Sequence, residues 1–157
     1  MTVPAPATGN GISIRTAERA DLLAVIRIEN DSFPQPWPYD AFEYFLDEPG
    51  FLVAVDDERI VGYVVSDVTL NYGQGLGHIK DIAVHSECRG NGVGSLLLAR
   101  SLFVLTTHGA TSVKLEVRES NEEARRLYES FEFEPLRRVP RYYDDGEDAL
   151  VMIRELE

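Results

Sequence analysis

Apolar residues recur along most of the chain with one of two periods, and these periods predict the secondary structure. Every second residue is apolar in residues 112–118, which is typical of a strand with one buried face. In residues 121–131 the apolar positions follow helical spacing, which is typical of an amphipathic helix. The same reasoning predicts strands at residues 12–16, 51–55, 60–68, 78–84, 133–139 and 149–153. It predicts further helices at about residues 19–30, 39–46 and 93–108.

The order of these elements predicts the fold class. Hairpin-like strands come first, and strand–helix–strand units follow, in the order β-α-α-β-β-β-α-β-α-β-β. This order predicts an α/β (α+β) protein with a mixed sheet and helices on both faces. The stretches SFPQPWP, NYGQGLG and RYYDDGED are predicted loops. We expect residues 11–157 to form a single domain and residues 1–10 to be a short flexible tail.

Length and composition narrow the class of protein. A chain of 157 residues with 44% hydrophobic residues can bury one core. No apolar run approaches the roughly 20 residues that span a bilayer, and the N-terminus lacks the regions of a secretory signal. We therefore expect a cytoplasmic protein without membrane association. A net charge of -12 argues against nucleic-acid binding.

The single cysteine, Cys88, excludes an internal disulfide. It is not spaced with His78, His85 and His108 as a metal-binding set, so we expect no metal. A catalytic thiol would need a histidine in a thiol-enzyme pattern, and the plain interpretation of Cys88 is a small side chain on a loop.

The basic residues are unusual, because the chain has two lysines, Lys80 and Lys114, against 13 arginines. An acidic chain with scarce lysine resembles proteins of salt-loving organisms. Hydrated carboxylates keep such a surface soluble, and salt screens their mutual repulsion. We therefore hypothesise a halophilic archaeal source.

The segment IAVHSECRGNGVGSLLL, residues 82–98, carries the most chemical information. It is predicted to run from a strand through glycines into a helix N-terminus, where free N–H groups accommodate an anion. A P-loop would need a lysine after Gly92, and none is there. A dinucleotide site would need GxGxxG, whereas Gly90, Gly92 and Gly94 are spaced GxGxG. A pyrophosphate loop for coenzyme A and a glycine turn without a ligand remain.

Within this segment, Arg89-Gly90-Asn91-Gly92-Val93-Gly94 resembles motif A of the GNAT superfamily, (Arg/Gln)-x-x-Gly-x-(Gly/Ala) after a strand. The resemblance continues through LEVRESNEEARRLYESFEFEP. With ENDSFPQPWP and YYDDGEDALVM, the chain is similar to RimI-type N-terminal protein acetyltransferases and their archaeal relatives, from about Ile12 to Leu156. The resemblance implies the GNAT fold, a mixed and mostly antiparallel sheet of about six to seven strands with helices on both faces.

The resemblance also implies acetyl-CoA as co-substrate. The backbone of Ile82, Ala83 and Val84 would pair with the pantetheine arm. The loop backbone would bind the pyrophosphate through Arg89, Gly90, Asn91, Gly92, Val93, Gly94 and Ser95. Asn121 matches a position whose side chain contacts the cofactor, and an Asn there is equally suited to cap a helix.

Two residues match the catalytic pair of RimI-like enzymes. Glu116 matches the general base for the acceptor amine, and Tyr128 matches the general acid for the departing thiolate. We expect a cleft on the polar face of the strand to raise the pKa of Glu116. The alternatives are an exposed glutamate paired with Lys114 or Arg118, and a core tyrosine on an apolar helix face.

Aromatic residues match the two walls of the acceptor groove in RimI-type enzymes. They are Phe33, Pro36 and Trp37 on one side and Tyr142 and Tyr143 on the other. Core packing by Phe33 and Trp37 is the alternative.

The resemblance implies an enzyme that transfers acetyl from acetyl-CoA to the N-terminal α-amino group of a protein, with ribosomal proteins among the candidates. We expect a monomer or homodimer. The alternative acceptors are a small amine or a lysine side chain. A non-catalytic CoA-binding module is a further alternative, and the presence of both Glu116 and Tyr128 argues against it.

The chain departs from the family pattern at two positions. Glu132 stands in Ser130-Phe131-Glu132-Phe133 where the family reads SLGF, so we expect a different helix C-cap. Asn91 stands where Gln, Arg or Lys is common, which leaves one fewer charge near the pyrophosphate.

Overall fold

The computed structural model describes residues 11–156 as a seven-stranded sheet with four α-helices, in the predicted order. The predicted tail at residues 1–10 and Glu157 lie outside the described residues. The strands are β1 (Ile12–Thr16), β2 (Phe51–Asp56), β3 (Arg59–Asn71), β4 (Gln74–Val84), β5 (Ala110–Arg118), β6 (Glu134–Val139) and β7 (Ala149–Glu155). The helices are α1 (Leu22–Ser32), α2 (Tyr39–Tyr44), α3 (Val93–Thr107) and α4 (Glu122–Ser130). Within these residues, no helix has the length and apolar character needed to cross a membrane.

The sheet is mixed and mostly antiparallel, as the fold class predicted. Its strand order is β1-β2-β3-β4-β5-β7-β6, and β4–β5 is the parallel pair among the described strands. Neighbouring residues of β3 alternate between two cores. Val64 packs in the cluster that contains the buried side chains of α3, and Tyr63 and Val65 pack with those of α1 and α2. Helices therefore cover both faces.

Helix α1 begins later than predicted, because Arg19–Asp21 forms a 3-10 turn instead of the first α-helical turn. The carboxylate of Asp21 accepts a hydrogen bond from the N–H of Glu18 at 2.8 Å and pairs with Arg15 at 2.7 Å. Such local side-chain hydrogen bonds compete with the helical pattern and delay its start.

The stretch NYGQGLG forms a β-hairpin, so the predicted glycine-rich loop is wrong. Asn71 pairs with Gln74 across a turn at Tyr72 and Gly73, whose φ angles are 54° and 80°. Positive φ at both central residues gives the twist that antiparallel strands need. Gly75 lies within β4, where a Cβ would come 2.1 Å from the carbonyl oxygen of Gly109. That glycine therefore serves close packing inside a strand.

Strands β4 and β5 separate in their C-terminal halves. Their parallel pairing ends at Ile79 and Leu115, and the register between β3 and β4 shifts just beyond, which leaves Lys80 as a β-bulge. From there β4 continues to pair with β3, and β5 continues to pair with β7. The gap between them opens a cleft in the sheet.

Helix α4 ends in a left-handed turn of the kind usually built on glycine. Glu132 has φ 69°, and the N–H groups of Glu132 and Phe133 donate to the carbonyls of Glu129 and Tyr128 at 2.9 and 3.1 Å. This hydrogen-bond pattern is a Schellman motif, so the expected change of C-cap is wrong. Glu132 adopts a conformation that glycine adopts at lower cost.

Candidate active site

The cleft holds two adjoining cavities of about 560 and 250 Å³. The larger cavity is lined by the end of β4, the loop after it and the start of α3. The smaller cavity is lined by α1, the loop after it, β4, β5 and the loop between β6 and β7. The residues that line both, and so mark where the cavities meet, are Ser32, Phe33, Ile82, Asn121, Ala124 and Tyr128.

Glycines and backbone groups form the mouth of the larger cavity. Gly90 has φ 82°, and Gly92, the N-cap of α3, has φ 84°. The first N–H groups of a helix have no acceptor within it. Those of Val93, Gly94 and Ser95, which line the cavity, are therefore available to an anion.

Arg89 ties this glycine loop to its surroundings. Its Nε donates to the carbonyl of Val84 at 3.0 Å, and its Nη2 donates to Ser32 Oγ at 3.2 Å. Because Arg89 also lines the larger cavity, it supplies positive charge there on a strongly acidic chain.

The residues predicted to hold acetyl-CoA line the larger cavity, with the exception of the exposed Asn91. Asn121 caps α4 as well, since its Oδ1 accepts a hydrogen bond from the N–H of Ala124 at 3.1 Å. The capping alternative is therefore confirmed, and it is compatible with a place in the cavity wall.

Glu116 lines the smaller cavity and is held by two basic side chains. Its Oε1 accepts a hydrogen bond from His78 Nε2 at 2.7 Å, and its Oε2 lies 3.6 Å from Lys114 Nζ. The His78 hydrogen bond, aided by Lys114, lowers the pKa of Glu116 although burial acts to raise it. The predicted rise in pKa is therefore wrong. The pairing with Lys114 is confirmed, but Glu116 is not exposed, since 15% of its side chain is accessible.

Tyr128 lies where the two cavities meet and is 5% exposed. Its ring packs against Phe133 with the centroids 6.0 Å apart, so core packing is confirmed. Burial raises the pKa of Tyr128, and the phenol therefore stays protonated at neutral pH.

Aromatic residues from two loops face each other across the smaller cavity. Phe33, Trp37 and Tyr143 line it, whereas Pro36 and Tyr142 are not in its wall. Trp37 also stacks on aromatic side chains of the core behind it. Its cavity position and the core-packing alternative therefore hold together.

Arg118 links these two loops. Its guanidinium lies 4.1 Å from the ring centroid of Tyr143 and donates to Asp145 and Glu147 at 2.8 and 2.9 Å. Its Nη2 also reaches Oε1 of Gln35 in the other loop at 3.5 Å. Arg118 thus contacts both loops.

A group of buried polar residues beside the smaller cavity is not predicted from the sequence. Glu29 is 1% exposed and accepts hydrogen bonds from the hydroxyl of Tyr63 and from the N–H of Trp37. Asp81 contacts Glu29, and its Oδ2 is buried without a donor. The available signals were a glutamate on the apolar stripe of α1 and an aspartate within an apolar strand.

Residues 22–133 match the model of the Acetyltransferase (GNAT) family. The chain is 37% identical to an N-alpha-acetyltransferase of Sulfolobus acidocaldarius, over 91% of this chain and 92% of that protein. The chain belongs to the GNAT acetyltransferase family. Its fold resembles Ard1 from Thermoplasma volcanium with a TM-score of 0.86 and 28% identity, over 94% of this chain and 99% of that one. It resembles the ribosomal-protein-S18-alanine N-acetyltransferase of Escherichia coli with a TM-score of 0.82 and 28% identity, over 93% and 94% of the two chains.

As a GNAT enzyme, the chain is an acetyl-CoA-dependent N-acetyltransferase. The larger cavity fits this co-substrate. Past Ile79 the edge of β4 that faces the cleft has no strand partner, so it can pair with an extended amide arm. The glycine loop suits the pyrophosphate. Within residues 11–156, no three His, Cys, Asp or Glu side chains are grouped as metal ligands.

Proposed function

We propose that this acetyltransferase modifies the N-terminal α-amino group of proteins. The observation that carries the proposal is the junction at Tyr128, where the larger cavity meets a smaller one that contains a carboxylate, Glu116. The smaller cavity lies between two loops, at residues 33–38 and 140–148, so a chain end can enter with its amino group first. The names of the relatives described above, which include an N-alpha-acetyltransferase, support this acceptor class.

Glu116 serves as the base, together with His78. An ammonium group must lose a proton before its nitrogen can attack a thioester. Because the pKa of Glu116 is lowered, this carboxylate is ionised at neutral pH and orients the His78 ring through the 2.7 Å hydrogen bond. Glu116 is the member of the pair that lines the cavity, and the proton reaches it directly or through water.

Tyr128 serves as the acid. Acetyl-CoA supplies the acetyl thioester, and β4 with the glycine loop orients it. The raised pKa keeps the phenol of Tyr128 protonated, and its place between the cavities suits a donor to the departing thiolate.

The acceptor class is tested by acetyl-CoA turnover over a panel of amines. The panel holds peptides that begin with Met, Ala, Ser or Thr, the N-terminal peptide of ribosomal protein S18, an N-terminally blocked lysine peptide and spermidine. We expect kcat/KM for the best free N-terminus to exceed that for the blocked peptide and spermidine at least about tenfold. Turnover of spermidine alone would overturn the proposal.

The cellular setting belongs to the same proposal. We place the enzyme in the cytoplasm as a monomer or homodimer, with ribosomal proteins among its acceptors and neither nucleic acid nor membrane as a partner. Light scattering of the purified protein measures the oligomeric state, and a species larger than a dimer would contradict it.

We also propose that the protein functions in a saline environment. Acidic residues number 27 against 15 basic ones, and both lysines lie beside the cleft, Lys114 next to Glu116 and Lys80 next to His78. Without salt, the repulsion between surface carboxylates is unscreened. We expect the unfolding temperature to fall as KCl is removed, and a salt-independent temperature would contradict the hypothesis.

A further inference from the structure

Glu29 and Asp81 form a buried carboxyl pair that the acetyl-transfer chemistry described above does not use. Glu29 lies on α1 and Asp81 on β4, and both residues line the smaller cavity. The two carboxyl groups are close enough for a hydrogen bond between them to raise the pKa of Asp81. Oδ2 of Asp81 is buried and receives no hydrogen bond from any described residue.

The pair has room for one negative charge. Both oxygens of Glu29 already accept hydrogen bonds, Oε1 from the hydroxyl of Tyr63 and Oε2 from the N–H of Trp37 at 2.9 Å. Burial, followed by the contact with Glu29, raises the pKa of Asp81 well above its ordinary value. The oxygen of Asp81 that lacks a donor is therefore explained if it carries a proton and is itself the donor.

We propose that Glu29 and Asp81 share one proton and that this protonated pair is the positioning element of the acceptor site. Through Glu29 it fastens the loop that carries Trp37, one wall of the smaller cavity, to β3 and β4. Asp81 directly precedes Ile82, which lines both cavities. The pair thus connects β4, which lines the larger cavity, to the loop of Trp37, which lines the smaller one. It rests on the proposed function only in that the acceptor enters the smaller cavity.

Loss of the shared proton would release this loop. The proton stabilises the folded protein fully below pH 3.8, the ordinary pKa of an aspartate, and this stability is lost as the pH rises through the raised pKa of Asp81. Above it, two adjacent carboxylates repel each other. The other ionisable groups around the pair are Tyr63 from β3, Tyr128 from α4, and the cavity residues Lys80, Glu116, Arg118 and Tyr143.

Trp37 reports the position of this loop, because it is the only tryptophan of the chain. The test compares Asp81→Asn, which can still donate to Glu29 but cannot ionise, with Asp81→Val, which cannot donate. At pH 7, Asp81→Val is expected to shift the Trp37 emission to longer wavelength and to raise the acceptor KM about tenfold, and the KM for acetyl-CoA much less. Asp81→Asn is expected to restore both the emission and the acceptor KM. Its Trp37 emission should not change as the pH is raised, whereas the emission of the unsubstituted enzyme should shift once Asp81 loses its proton.

Asp21→Asn is the matched control, since Asp21 is another buried carboxylate, paired with Arg15 away from both cavities. It should lower the unfolding temperature and leave the Trp37 emission in place. Unshifted emission and acceptor KM in Asp81→Val would overturn the proposal, as would a shift of the Trp37 emission with rising pH that persists in Asp81→Asn. KM is measured with the fastest acceptor of the panel, peptide or small amine, and emission needs no acceptor. A wrong acceptor class is therefore distinguishable from a wrong role for the pair.

Discussion

The two cavities of the cleft differ in the groups that form them, since one offers mainly main-chain groups and the other mainly side chains. The larger cavity, the proposed acetyl-CoA cavity, is lined mainly by residues between 82 and 95, whose glycines and free N–H groups offer main-chain contacts. The smaller cavity, the proposed acceptor cavity, is formed by side chains from α1, β4, β5, α4 and two loops. Recognition by the main chain depends on local φ and ψ, whereas recognition by side chains depends on contacts between distant parts of the chain. The two cavities should therefore respond to different substitutions, and each prediction below tests that separation.

The largest effect is expected for Glu116→Gln, which keeps the shape of the side chain and removes its charge. Because the acceptor amine then lacks its base, kcat/KM for the acceptor should fall about 100-fold or more. Steady-state kinetics should show the KM for acetyl-CoA within about twofold of its original value. Glu119→Gln, at a glutamate paired with Arg138 outside both cavity walls, is the control. A parallel loss of acetyl-CoA affinity would break the separation between the cavities.

Tyr128→Phe tests the point where the cavities meet. The change keeps the packing against Phe133 and removes the proton, so kcat should fall about tenfold to 100-fold with an unchanged unfolding temperature. Tyr72→Phe, at the exposed tyrosine of the β3–β4 turn outside both cavity walls, is the control. Unchanged turnover in Tyr128→Phe would remove this residue from the mechanism.

Gly92→Ala tests the larger cavity alone, because that cavity is the one that offers main-chain N–H groups. Alanine at φ 84° costs about 1 kcal/mol and disturbs the N–H groups at the start of α3. We expect the KM for acetyl-CoA to rise about tenfold and the KM for the acceptor to change little. Gly73→Ala introduces the same strain at φ 80° in the β3–β4 turn, where a Cβ meets nothing within 4 Å. Gly73→Ala should lower the free energy of unfolding by a similar amount without raising the KM for acetyl-CoA. Equal effects of Gly92→Ala on both KM values would contradict the prediction.

The smallest effect is expected for Arg118→Lys in the acceptor cavity. Lysine keeps the charge and loses the planar stacking on Tyr143 and the forked hydrogen bonds to Asp145 and Glu147. The KM for the acceptor should rise about threefold, with the KM for acetyl-CoA unchanged. Arg138→Lys provides the comparison, since its partner Glu119 lies outside both cavity walls. A rise in the KM for acetyl-CoA alone would show that Arg118 supports the larger cavity and not the smaller one.

The same division explains what the sequence could predict. The order of strands and helices, and the strand–loop–helix arrangement of residues 82–95, follow from local periodicity and glycine spacing, and the structure confirms both. NYGQGLG was misassigned because a hairpin glycine and a loop glycine look alike until the packing of Gly75 on Gly109 is known. The pKa of Glu116 was misjudged because its partner, His78, is brought to it by the pairing of β4 with β5. The Glu29–Asp81 pair likewise joins residues far apart in the chain.

Scarce lysine has a consequence for the enzyme's own covalent state. A protein that holds an activated acetyl group near an amine site exposes its own primary amines to modification. Here the side-chain amines are limited to Lys80 and Lys114, which lie beside the carboxylates of Asp67 and Glu116. The other basic side chains, apart from histidines, are arginines. Their guanidinium stays protonated and is a poor nucleophile. The surface therefore offers few targets for self-acetylation, and the acetyl group is kept for the acceptor.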